Sequence, residues 1–138
     1  MKINRIALAA LCLMALPLMA QVVIISVKNP ISKMTKDQVA QLYLGQVHTF
    51  ISGAQAEPLD LGEDSVLRKT FYQVSLNKAP AQMKAYWAKL EFSGSARSPR
   101  VVLTSAEVVK LVAENPKYLG YVEAAAVTSG VKVVYAVN

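Results

Sequence analysis

The chain has 138 residues, 54% of them apolar and 17% charged, with 15 Lys+Arg against 9 Asp+Glu, one His and one Cys. That length fits one domain and leaves no room for two, and the apolar share excludes a disordered charged tail. The net charge of +6 is modest, and no Lys/Arg stripe interleaved with aromatics tracks a phosphate backbone, which points away from nucleic acid.

Residues 1–20 read as a secretory signal. Lys2 and Arg5 form a positive n-region, Ile6 to Leu16 an apolar h-region, and Pro17-Leu18-Met19-Ala20 a break ending in a small residue. Cleavage there leaves a mature domain of residues 21–138, exported to the periplasm, with a net charge of about +4 and, Cys12 being lost with the signal, no cysteine. Disulfides and thiolate chemistry then drop out. The rival reading is an uncleaved membrane anchor, because Ile6 to Val27 is a nearly unbroken apolar run of bilayer-spanning length. The β-branched Val22-Val23-Ile24-Ile25 favours a buried first strand instead.

In chain order, Val22 to Val27 is a strand ended by Lys28-Asn29-Pro30. Thr35 and Gln38 have capping-box spacing and open a helix through Val39, Leu42 and Tyr43, stopped by Gly45. Gln46 to Pro58 is a loop or short hairpin, and Leu59-Asp60-Leu61 a short strand. Gly62-Glu63-Asp64-Ser65 opens a second helix with Val66, Leu67, Thr70, Phe71 and Val74 on one apolar face. A third begins near Pro80, with Met83, Tyr86 or Trp87, and Leu90 inward and Lys84 and Lys89 outward. After the turn-rich Phe92 to Arg100 come the strand Val101-Val102-Leu103 and a second capping box, Thr104 to Glu107. That helix runs through Val108, Leu111 and Val112 to the stop at Asn115-Pro116. Leu119 to Val122 and Val131 to Val137 are the last strands. Strands alternating with helices predict an α/β domain around a mixed, mostly parallel sheet flanked by helices.

Several segments, in this order, resemble the phosphate ABC transporter substrate-binding proteins, a type 2 periplasmic-binding-protein fold. They are the strand before Asn29-Pro30, Leu42-Tyr43-Leu44-Gly45, Pro58-Leu59-Asp60 before Ser65-x-x-Arg68-x-x-Phe71, Phe92-Ser93-Gly94, the Val101 to Val112 unit, and Leu119-Gly120-Tyr121-Val122. The resemblance implies a single lobe of that fold, a non-enzymatic solute-binding function and a small oxyanion such as phosphate as ligand. In the family an arginine, three residues and then Ser-Gly-Thr hold the phosphate. Here those positions read Leu61 and then Ser65-Val66-Leu67, so only the serine is kept.

The candidate ligand residues are therefore Ser65 and Arg68. A helix N-terminus presents amide N–H groups and a partial positive charge, so the amides of Val66 and Leu67, the Ser65 hydroxyl and the Arg68 guanidinium would suit an oxyanion. Against this stands Ser65 or Asp64 as a plain helix cap, with Glu63 and Asp64 repelling an anion. Arg97 and Arg100, flanking Ser98-Pro99, form a second possible anion or partner contact, or else a solvated turn. His48 has no Cys, Asp or Glu near it in sequence and reads as a surface residue. Tyr86-Trp87 reads as core before ligand platform. No catalytic set and no cofactor motif emerges. Two functions remain in view: an exported binding protein for a small oxyanion, or a ligand-free module that meets a protein partner in the envelope or a second copy of itself.

Overall fold

In a computed structural model that describes residues 20–138, the segment Gln21–Ser26 forms β1, and all six of its residues are buried. A strand is dry on both faces only inside a sheet covered on both sides, and β1 lies between β4 (Tyr118–Glu123) and β5 (Val131–Val137), antiparallel to both. The signal segment predicted over residues 1–20 lies outside the described residues except for Ala20, whose carbonyl accepts from the Ala124 N–H at 2.7 Å. Of the apolar run from Ile6 to Val27, Gln21–Ser26 lies in the sheet. Among the described residues no helix is long and apolar enough to cross a membrane.

With β2 at Glu57–Asp60 and β3 at Arg100–Val101, the five-stranded sheet has the order β3-β2-β4-β1-β5. β2 pairs in parallel with β3 and with β4, so β3, β2, β4 and β5 run one way and β1 alone opposes them. This is the mixed, mostly parallel sheet expected. β3 is one residue earlier and shorter than predicted; Val102 instead continues toward the interior, its N–H bonded to the Asp60 carbonyl at 2.8 Å. The loop predicted over Gln46 to Pro58 closes on itself through one bridge between Thr49 and Gln55.

The helices start where their caps place them. α1 (Lys36–Tyr43) carries both halves of the Thr35/Gln38 capping box. α3 (Pro80–Phe92) has Pro80 in its first turn, and Gln82 accepts from the Ala79 N–H. α4 (Ser105–Glu114) has only the forward half of its box, Thr104 accepting from the Glu107 N–H at 3.2 Å. It packs over β4 at Gly120, where an added Cβ would collide with Val108 Cγ1.

α2 (Val66–Phe71) departs from the predicted face. It runs straight into a π-helical turn, Tyr72–Leu76, ended by Asn77 in the left-handed region at φ 54°. The wider turn changes the helical phase: Phe71, Tyr72, Ser75 and Leu76 are buried, while Val66 is 74% exposed and Thr70 is exposed. Phe71 then stacks on Tyr121 with ring centroids 4.0 Å apart, and Tyr43 meets Phe71 edge-on at 4.7 Å. This aromatic knot joins α1, α2 and β4.

Candidate functional site

In open α/β sheets, ligands are held outside the carboxyl ends of the strands, near helix N-termini. Here the carboxyl ends of β2, β3 and β4 and the first turns of α2 and α4 meet around a depression of about 450 Å³ lined by Leu61, Asp64, Ser65, Leu103, Ser105 and Glu123. Ser65 is the N-cap of α2, its Oγ accepting from the Arg68 N–H at 3.2 Å. Ser105, at the first position of α4, donates its hydroxyl to Glu123 Oε2 at 2.6 Å. A carboxylate of the chain itself therefore already occupies the start of α4.

A second carboxylate lies beneath α2. Asp60, the last residue of β2, is only 4% exposed and sits between the buried Leu59 and Leu61. Its Oδ1 accepts from the Leu61 N–H at 2.8 Å and from the Tyr121 hydroxyl, and its Oδ2 accepts from the Tyr72 hydroxyl. The Arg68 Nε stands 4.0 Å from Oδ2, Nη1 donates to the Leu61 carbonyl at 2.8 Å, and the guanidinium lies 5.1 Å from the centre of the Tyr72 ring. Burial, then the Asp60 charge, raise the phenol pKa of Tyr72 and of Tyr121 well above the ordinary value, and the same two causes raise that of Tyr43. All three stay protonated, so Tyr72 and Tyr121 remain donors to a fixed anion.

Ser65 and Arg68 are brought together in the first turn of α2, and each is bound to the protein itself: the hydroxyl oxygen caps the helix and the guanidinium turns inward. The amides of Val66 and Leu67 have no acceptor among the described residues, as the first positions of a helix do not. Around them stand Glu63 and Asp64, both exposed, and Glu123 across the depression. No group of three metal-ligating side chains occurs among the described residues. Trp87 is buried core with Met83, and Tyr86 donates its hydroxyl to the Leu44 carbonyl at 2.6 Å. His48 and Arg97 are exposed, and Arg100 reaches the Tyr118 hydroxyl at 3.3 Å.

Asp60, Tyr72 and Tyr121 are the polar centre that the sequence reading passes over. Its one local signal is an aspartate between two leucines in a strand too short and apolar to face water.

No protein-family model matches the chain, and no curated protein matches it by sequence. Solved structures do match by fold. An ABC-type phosphate transport receptor from Vibrio cholerae superimposes with a TM-score of 0.65 at 17% identity, over 83% of this chain and 45% of that one. A substrate-binding-protein structure with bound phosphate from Clostridium perfringens gives 0.68 at 18% identity, over 83% and 44%. PstS from Borrelia burgdorferi gives 0.63 at 16%, over 83% and 46%. The chain has the fold of these phosphate-transport binding proteins and spans less than half the length of each.

Proposed function

We propose that this chain is an exported, non-enzymatic lobe of the solute-binding fold whose ligand edge is closed to free phosphate by its own carboxylates, and which works in the envelope through contact with protein. The observation that carries this reading is that Arg68, the cation of the first turn of α2, turns inward to the buried Asp60, which two tyrosine hydroxyls and a backbone amide also hold. Glu123 accepts from the Ser105 hydroxyl at the start of α4. Asp64 and Glu123 are the charged residues that line the depression, so it presents negative charge to an incoming oxyanion. Val66 and Leu103, 74% and 80% exposed at the same edge, give a protein contact apolar anchors.

A second reading, phosphate or another small oxyanion on Ser65 and Arg68, draws support from the free amides of Val66 and Leu67 and from the phosphate-binding proteins that share the fold. Calorimetric titration with phosphate and sulfate separates the two. The first reading expects no saturable heat, that is, a Kd weaker than about 1 mM, or roughly −4 kcal/mol. Saturable heat that is lost in Val66→Pro would overturn it. That variant removes one amide donor where proline is tolerated, since Ser65 before it is already extended at φ −74°, ψ 123°.

A further inference from the structure

At the opposite end of β2 and β3, a groove of about 420 Å³ opens between the chain following α1, the start of β2 and the loop 97–100. Leu42, Pro58 and Trp87 give it apolar walls, and His48, Arg97 and Arg100 line it as well. Its shape is fixed from two sides. Glu91, at the end of α3, accepts from the Ser98 N–H at 2.8 Å and the Ser98 hydroxyl at 2.5 Å, which holds the arginine loop. Gly45, at φ +67°, lets the Trp87 ring approach so closely that a Cβ there would stand 2.8 Å from its Cη2. The Trp87 indole N–H is buried without a partner among the described residues.

The charges are unevenly matched. Glu57 lines the groove, but it is held by Lys117 at 3.7 Å and by the Gln55 amide at 2.9 Å. Arg97 has no carboxylate within 4 Å among the described residues and only a longer-range attraction to Glu91, and Arg100 contacts only the neutral Tyr118 hydroxyl there. An apolar floor beneath guanidinium forks that no carboxylate ties within 4 Å is the chemistry that recognises a flat apolar body ending in a carboxylate.

We propose that this groove is a binding site for a small aromatic carboxylate, with Arg97 and Arg100 holding the carboxylate and the Leu42, Pro58 and Trp87 walls taking the ring. The site is remote from the carboxyl edge and stands whether or not that edge binds phosphate.

Trp87 is the only tryptophan, so the tryptophan fluorescence comes from a residue that lines this groove. The probes are benzoate, its neutral relative benzyl alcohol, and inorganic phosphate, titrated into the protein and into Arg97→Ala/Arg100→Ala. The expected result is a saturable change with benzoate that weakens roughly tenfold to a hundredfold in the double variant and in benzyl alcohol. Both arginines are exposed, so the variant keeps its fold, verified by an unchanged melting temperature. Ser65→Ala leaves the benzoate response in place, which separates this site from the carboxyl edge. No saturable response to benzoate, an equal response in the double variant, or phosphate binding as tightly as benzoate would each overturn the assignment.

Discussion

Replacing Asp60 with alanine removes the acceptor on which Leu61 N–H, Tyr72 OH and Tyr121 OH converge and leaves Arg68 without its nearest carboxylate. Hydrogen bonds to a charged group contribute about 1.5–3 kcal/mol each, and stranding one member of a buried ion pair costs about 3–5 kcal/mol. Arg68 keeps its bond to the Leu61 carbonyl, and the Leu61 N–H keeps a 3.2 Å contact with the Tyr121 oxygen, so the losses overlap. A net destabilisation of about 4 kcal/mol follows for Asp60→Ala. At about 4 °C per kcal/mol, the melting temperature should fall by roughly 15 °C. Asp60→Asn keeps the shape and some of the bonds and should lose about half as much. Tyr72→Phe should cost about 1.5–3 kcal/mol in the wild type and far less in the Asp60→Ala background, because its partner is already gone. Urea unfolding of the four proteins completes the cycle. Formate, a free carboxylate of the right size, should raise the melting temperature of Asp60→Ala and leave the wild type unchanged. An Asp60→Ala variant within about 1 kcal/mol of wild type, or additive losses for Asp60 and Tyr72, would refute the reasoning.

Gly120→Ala should destabilise the protein by about 1–3 kcal/mol in chemical denaturation, since the added methyl drives into Val108 where α4 rests on β4. Ser65→Ala should cost about 1 kcal/mol through loss of the cap, and Ser65→Asp should retain most of that stability. At alkaline pH the sign is set by raised phenol pKa values: the folded state holds its protons on Tyr43, Tyr72 and Tyr121 after the unfolded state has released them. The stability they contribute is therefore full below the ordinary tyrosine value and declines above about pH 10, at about 1.4 kcal/mol per pH unit for each buried phenol. Tyrosinate absorbance should rise together with loss of folded circular dichroism. Ionisation of all the tyrosines while the fold persists would contradict the buried network.

Much of the fold is legible because it is written locally. The β-branched run at Val22–Ile25, the Thr35/Gln38 box, the stops at Gly45 and Asn115-Pro116, and the Met83–Trp87 spacing each depend on residues within one or two turns, and each matches an element of the structure. What the sequence hides depends on distant partners. Tyr121 reaches Asp60 across 61 positions and Tyr72 across 12, and these polar bonds accompany a π-helical turn that displaces the expected face of α2. The same distance conceals the direction of Arg68: its spacing from Ser65 suits an anion at the helix start, yet the buried Asp60 lies on its other side. Arg97 and Arg100 were visible as a pair, but the groove they line is assembled from α1, β2 and α3, which no local pattern specifies.

The most direct measurement of the central claim is an amide NMR titration with phosphate, following Val66 and Leu67 at the start of α2. Closure of the ligand edge by Asp64 and Glu123, with Arg68 turned inward to Asp60, predicts that these two amides stay in place through phosphate concentrations well above about 1 mM. Saturable, site-confined displacement of the Val66 and Leu67 amides at lower concentrations would contradict it.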